Sequence, residues 1–365
     1  MFSMSSLSSK LAFSKLKKGS RGLVGLDIGS SKIKVAEVRS GRKGFELVNV
    51  AQIELMPDTI VDGQIIDGNH VSDCISNVFA EQGISSDQIA TSLSGNAVIV
   101  KKINLPTMNA DELRDQINWE AQQHIPFDIN DVNLDYHILD GTAETSEILL
   151  VACKKDMVSQ LTQVIATAGK TAVIVDVDAF ALQNAYEVNY QPMPNQTVML
   201  LNVGASVTNI NIVRGSSSVF TRDVSMGGNQ YTDTLQKRFN ISFDDAEMLK
   251  RGVRPEGCEA NPAEVEETLN SVTELLASEV QRTLDFFYQQ MVADNEPLVG
   301  VLVAGGGSKV ANLIPHMAQR FQVHVEAFDP FRSLNINPQK FDEAYLREYA
   351  PDMAVAVGLA LRSAD

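Results

Sequence analysis

Cysteine is scarce. Cys74, Cys153 and Cys258 are odd in number and widely spaced, with no Cys-x-x-Cys pair, which excludes a disulfide framework and fits a reducing compartment. Histidine is equally thin: His70, His124, His137, His316 and His324 each stand alone, with no His-Glu-x-x-His pair, so no zinc cage is expected. No apolar run approaches the roughly 18 to 20 residues that cross a bilayer. Ser and Lys break up the first residues before a signal-peptide core can form. A soluble chain kept inside the cell is the expectation. Base is short relative to acid, 30 Lys and Arg against 46 Asp and Glu, and the net charge of −16 would repel a polyanion over most of the surface. The Gly-x-Gly-x-x-Gly and Gly-x-Ser-x-Gly signatures are missing. Gly169-Lys170-Thr171 mimics the end of a P-loop, but Val164 stands where its earlier glycine is required.

What is present suits a two-core globular protein: 365 residues, of which 44% are hydrophobic and 21% charged. Residues 1–21 are basic, with Lys10, Lys15, Lys17, Lys18 and Arg21 and no acid. Leu7 and Leu11 fall on one side of a helical wheel while Phe13 and Leu16 fall nearly opposite, so a solvated flexible leader is expected. Three strands follow, Leu23–Ile28, Ile33–Arg39 and Phe45–Leu55, then a helix near Ser72–Gln82 and a strand near Ile89–Leu93. Residues 95–170 read as an α+β insert of three strands and two helices, the first helix opened by a capping box of Asn109 with Glu112. Strand Thr171–Val175 and a helix through Tyr186 return to the first pattern, and the polar stretch Asn189–Gln196 reads as a hinge. Strands Val198–Val203, Val207–Val213 and Ser218–Val224 then repeat the opening layout. Val265, Leu269, Val272, Leu276, Val280, Leu284, Phe287 and Met291 recur at helical spacing and predict one long helix from Pro262.

Three motifs carry chemistry. In the first, Gly25 to Lys34, Asp27 ends a strand and Gly29, Ser30, Ser31 and Lys32 form a turn whose backbone amides can cradle a phosphate. Lys34 can add a point charge, and Asp27 can hold Mg2+ through its water shell. The second, Asn202 to Thr208, has the same strand–turn–strand layout, with Gly204, Ala205, Ser206 and Thr208 as candidates. Two such hairpins facing each other would clamp a triphosphate from both sides. The third, Ala304-Gly305-Gly306-Gly307-Ser308, lets backbone approach a flat ring or phosphate without a Cβ.

In this order, the motifs resemble the nucleotide site of the actin, sugar-kinase and heat-shock-chaperone superfamily. The resemblance spans about residues 22–362 and implies an α/β fold: a ribonuclease H-like, duplicated, two-lobed actin-like ATPase fold. It implies ATP with Mg2+ as cofactors and makes the three motifs phosphate-1, phosphate-2 and adenosine. Asp176 and Asp178 match its first connecting segment and Met353–Leu361 its second; Asp178 sits where a water-positioning catalytic residue is expected. Ala246 to Gly252 is similar to the segment whose Glu247 and Lys250 reach the nucleoside. Within the insert, Lys102 to Met108, Glu112-Leu113, Asn118 to Ala121, His124 to Phe127 and Leu134-Asp135-Tyr136 resemble the PilM family of type IV pilus assembly proteins, an FtsA-like branch.

That resemblance implies a cytoplasmic protein that binds the N-terminal cytoplasmic peptide of the inner-membrane protein PilN and joins other pilus-machine components, the assembly ATPase among them. The peptide is expected where the first lobe meets the insert, with Trp119 either in the core or in contact with it. The domains follow: residues 22–94 and 171–190 as first-lobe core, 95–170 as insert, 191–228 and 295–365 as second-lobe core, and 229–294 as a second-lobe small subdomain. One departure bears on activity. Asn202 stands where the superfamily opens phosphate-2 with Asp, and an amide cannot supply the charge that helps hold Mg2+ and orient water. ATP binding with weak or absent hydrolysis is therefore expected. Two alternatives stay open: an FtsA-like filament former on the membrane, disfavoured by the lack of a C-terminal amphipathic helix, and a small-molecule kinase of the sugar-kinase branch.

Overall fold

The computed structural model describes residues 22–41, 44–142, 144–291 and 297–363, and the leader expected at 1–21 lies outside the described residues. The first sheet starts from β1 (Val24–Ile28), β2 (Lys32–Gly41) and β3 (Gly44–Glu54), successive antiparallel neighbours. The small hairpin β4 (Ile60–Val61) and β5 (Gln64–Ile65) leads into α1 (Gly68–Glu81), after which β6 (Gln88–Leu93) lies parallel to β1. The insert holds β7 (Val98–Pro106), α2 (Ala110–His124), β8 (Val132–Gly141) and β9 (Thr145–Lys154). Its strands order as β7-β9-β8, both pairs antiparallel. The capping box predicted at Asn109 and Glu112 opens α2, whose Leu113, Ile117 and Ala121 bury against Ile148, Leu150 and Ala152 of β9. Then come α3 (Lys155–Thr167), β10 (Thr171–Val177), which pairs parallel with β6, and α4 (Asp178–Tyr190).

The second half repeats the plan. Strands β11 (Thr197–Val203), β12 (Thr208–Arg214) and β13 (Ser217–Val224) are antiparallel neighbours. Helices α5 (Gly228–Phe239), α6 (Phe243–Lys250) and α7 (Pro262–Met291) follow, then β14 (Leu298–Ala304), α8 (Leu313–Phe321) and β15 (His324–Ala327). The sheet orders are β3-β2-β1-β6-β10 and β13-β12-β11-β14-β15, one topology used twice. Helices α9 (Glu343–Tyr349) and α10 (Ala354–Ala360) close the chain.

Each sheet is covered on both faces, so its strands carry apolar residues at both parities. Ile33 and Val35 of β2 face Val71, Ile75, Leu161 and Ile165 of α1 and α3, while Ala36 and Val38 face Leu346 of α9 and Ala356 and Val357 of α10. In the second lobe, Met199, Leu201 and Val203 bury against the stripe of α7 that the sequence spacing predicted, Val265 to Phe287. Leu276 is fully buried there, and its truncation to Ala should cost about 2–5 kcal/mol. Between the sheets lie α4 and α10. Leu182, Ala185 and Tyr186 of α4 meet Val198, Leu200 and Leu302 of the second sheet, and α10 meets the first. Residues 354 to 360 are buried on every side, as a helix between two layers must be. Two glycines set the spacing: a Cβ on Gly358 would stand 1.7 Å from the Ala181 carbonyl oxygen, and one on Gly25 would stand 1.9 Å from that of Ala356.

Three of the expected boundaries differ. Helix α3 was expected in the insert, but Leu161, Val164 and Ile165 complete the first-lobe core, because its apolar stripe matches the outer face of the first sheet. Residues beyond β15 were expected in the second lobe. Instead Phe331, Leu334 and Leu346 join the first-lobe core, and Asn335 bonds the β3 edge in both directions, Leu47 N–H to Asn335 O and Asn335 N–H to Phe45 O at 3.0 and 2.8 Å. Residues 229–294 were expected as a separate small subdomain, yet α5, α6 and α7 share one continuous core with the second sheet.

Candidate functional site

Both expected hairpins close alike: Gly29 N–H donates to Lys32 O at 3.0 Å, and Gly204 N–H donates to Val207 O at 2.9 Å. The second is braced by α5, where the Gly228 and Asn229 amides donate to Gly204 O and Ala205 O, each at 2.8 Å. The Gly227-Gly228 pair that allows this approach was missed by the sequence reading; a Gly-Gly step before an amphipathic stretch was its signal.

Charge gathers beside the first hairpin. Asp27 is 8% exposed and pairs with Lys34 at 3.0 Å. Burial alone would lower the Lys34 pKa, but Asp27 foremost, then Asp352 and Asp178, raise it. Asp178 opens α4 half-buried and accepts Ser92 Oγ at 2.5 Å. Desolvation chiefly, and then the Asp27 charge, push its carboxyl up to about 6, against the pull of the Ser92 and Ser94 hydroxyls. Asp352 was not anticipated. Its Oδ2 accepts Lys309 Nζ at 2.8 Å, while Oδ1 is buried with no partner among the described residues and lies beside Gly306.

On the other side of the cleft, Lys250 Nζ is paired with Glu247 and donates to Thr232 Oγ1 at 2.9 Å. Burial lowers the Lys250 pKa; Glu247 opposes this, and the charges of Arg251 and Lys32 add to it. On the first hairpin, Lys32 is ion-paired with Glu54 at 3.2 Å.

Other expected site residues serve as scaffold. A Cβ on Gly305 would meet Val203 O at 2.4 Å, and one on Gly307 would meet Val203 Cγ1 at 2.3 Å, so packing on β11 demands both glycines. Gly306 is exposed between them. Ser308 donates its hydroxyl to Gly305 O and Thr208 donates its own to Met226 O, both at 2.7 Å and both buried, so these hydroxyls tie loops and do not reach into the cleft. Asp176 forms a buried pair with Arg362 at 2.6 Å and stays out of the site. Ser30, Ser31, Ala205 and Ser206 occupy the two turns as expected.

The family model for type IV pilus assembly protein PilM matches residues 25–364. The chain belongs to the PilM family. Among solved structures, a chain of a PilM–PilN type IV pilus biogenesis complex is 27% identical with a TM-score of 0.84, and the match covers 94% of this PilM-family chain and 99% of that one. The ethanolamine utilization protein EutJ from Carboxydothermus hydrogenoformans is similar at 15% identity and a TM-score of 0.56, covering 98% and 97% of the two chains. MreB5 of Spiroplasma citri bound to AMPPNP gives 13% identity and a TM-score of 0.51, covering 93% and 94%. The last two share the fold alone, and the fold of this PilM-family chain is actin-like, as the paired motifs predicted. Among the described residues, no helix is long and apolar enough to cross a membrane.

Proposed function

We propose that this chain is an ATP-binding scaffold of the type IV pilus inner-membrane complex, held at the cytoplasmic face of that membrane by the N-terminal peptide of a PilN-like protein. The observation that carries the nucleotide half is the pair of matched hairpins, with the Lys34–Asp27 pair beside the first and Lys250 beside Gly228, which braces the second. The unpartnered Asp352 oxygen beside exposed Gly306 adds an acceptor suited to a ligand donor. No cluster of three or more acidic, His or Cys side chains suited to a bare metal occurs among the described residues. Mg2+ would therefore come with the phosphates, and Asp27 would hold its water shell. Bound Mg2+ would supply charge neutralisation for the triphosphate. Lys32, Lys34 and Lys250 would bind the phosphates and nucleoside from both lobes, Gly306 would admit the ring, and Asp178 would orient a water.

For the partner half, the insert offers two sheet edges, β7 and β8, with Ile138 exposed on β8. Trp119, the only tryptophan in the sequence, is 56% exposed on α2, which excludes the core-packing alternative. An extended peptide can add to such an edge through main-chain hydrogen bonds, with side-chain pockets giving specificity. ATP spanning both lobes would fix their angle, and that angle would set the surface the insert presents. The test is calorimetry on the nucleotide-stripped full chain, titrated with Mg·ATP and separately with the PilN-like peptide. Saturable heat is expected for each, with Lys250→Ala weakening ATP alone. No heat at millimolar Mg·ATP would end the nucleotide reading, and a peptide that fails to bind would end the partner assignment.

A further inference from the structure

The second hairpin lacks an acid at Asn202, yet the same sheet supplies one two strands away. Asn202 pairs with Asn209 across β11 and β12, and Asn209 pairs with Asp223 across β12 and β13. The three share a face by strand alternation, the face on which Val198, Leu200 and Val213 turn toward α4. Their side chains are joined: Asn202 Nδ2 donates to Asn209 Oδ1 and Asn209 Nδ2 donates to Asp223 Oδ1, each at 2.9 Å. The row therefore runs amide, amide, carboxylate.

Its position is fixed by Asn211, two residues along β12 on the same face, whose Nδ2 donates to Ala179 O at 2.8 Å. Ala179 follows Asp178 directly, so the row opens beside the Asp178 carboxylate, and the Asp223 charge is among those that raise the Asp178 pKa. Asp223 is exposed, and its other oxygen accepts the Gly95 N–H at 2.5 Å, at the first-lobe root of the insert. Each carboxylate oxygen keeps a further lone pair.

We propose that Asp223 is the second lobe's cleft carboxylate, a positioning residue that replaces the acid missing from position 202 and holds the hydrated Mg2+ of a bound nucleotide between the lobes. The proposal rests on the nucleotide reading above and deepens it. It also explains why Asn202 is an amide. An acid at 202 beside Asp223 would leave Asn209 one NH2 group for two carboxylates, and one of them would face the Asn209 carbonyl oxygen.

The variant Asp223→Asn tests it, because an amide can keep both hydrogen bonds with the row reversed and lose only the charge. Calorimetry on the stripped full chain compares ATP in EDTA with ATP and Mg2+. The Mg2+-dependent gain in affinity should fall by about tenfold or more, in the range of close charge pairs, while metal-free ATP binds no more weakly. The double variant Asn202→Asp/Asp223→Asn, which moves the acid back, should recover most of the gain. An unchanged gain in Asp223→Asn, or a loss that the double variant does not recover, would overturn the proposal and leave Asp223 as a tie to Gly95. A second readout uses the wild-type chain: ATP with Mn2+ should broaden the Gly95 amide resonance paramagnetically, and a sharp Gly95 resonance in the bound state would also overturn it. Absence of any ATP binding by the wild-type chain would instead bring down the nucleotide reading and this proposal with it.

Discussion

Replacing Asp178 by Asn should stabilise the nucleotide-free protein, although the residue stands in the candidate catalytic position. The Asp178 carboxyl rises from 3.8 to about 6 because desolvation penalises its charge and the Asp27 carboxylate adds to the penalty. A rise of that size corresponds to about 3 kcal/mol at 25 °C. The residue is only partly buried, so water screens part of the charge and about 1–3 kcal/mol is the expected effect. The pH dependence has a definite sign. Below about pH 4 the folded and unfolded states are both protonated at this residue, and it contributes nothing. Between about pH 4 and 6 the unfolded chain ionises while the folded one keeps its proton, so stability falls as pH rises. Above about pH 6 the penalty is complete and constant. Asparagine escapes it while its side-chain oxygen still accepts the Ser92 hydroxyl. Urea unfolding at pH 4 and pH 8 should show a higher midpoint for Asp178→Asn at pH 8 and near-coincident midpoints at pH 4. A variant no more stable than wild type at pH 8, or a difference of equal size at both pH values, would refute the electrostatic reasoning. A destabilised ionised acid kept in a cleft is expected where function, not stability, selects the residue.

Gly358→Ala should destabilise by about 3 kcal/mol or more, at or beyond the upper end for overpacking, because the new methyl would meet backbone at 1.7 Å; a urea midpoint equal to wild type would contradict the helix spacing described. Trp119→Ala should change stability by no more than about 0.5 kcal/mol, since the side chain is exposed. It should weaken PilN-like peptide binding by at least about tenfold if the ring is an anchor, and an unchanged affinity in the same titration would remove Trp119 from the docking surface.

Local signals carried much of the fold. The recurrence of strand, glycine turn and strand at Asp27 and Asn202 announced the duplication, the i to i+3 and i+4 stripe announced α7, and Asn109 with Glu112 announced the start of α2. Long-range docking was not legible. Nothing local in Phe331, Leu334 or Asn335 tells that they return to the first lobe, nor does α3 declare which apolar surface it will meet. In the candidate site, the motifs marked the turns but not which way their hydroxyls point, so Ser308 and Thr208 were expected to face a ligand and instead bond backbone carbonyls. Asp223 and Asp352 escaped notice because neither lies in a motif. Strand register brings Asp223 to Asn209, and the turn that precedes α10 brings Asp352 beside Gly306.

The return of residues 331–361 to the first lobe bears on the order in which the protein is made. Ala36, Val38, Leu47 and Val50 present an apolar sheet face that stays bare until Phe331, Leu346 and Ala356 have been synthesised. At about 5–20 residues per second, the nascent first lobe waits on the order of ten to thirty seconds after α4 for its own lining. The second lobe takes its sheet and α5 to α8 from one continuous stretch of chain, and Ala354 of α10 joins its inner face last. During biosynthesis the half-built first lobe is thus the species that most needs a chaperone, and truncation near the C-terminus removes part of the N-terminal lobe's core.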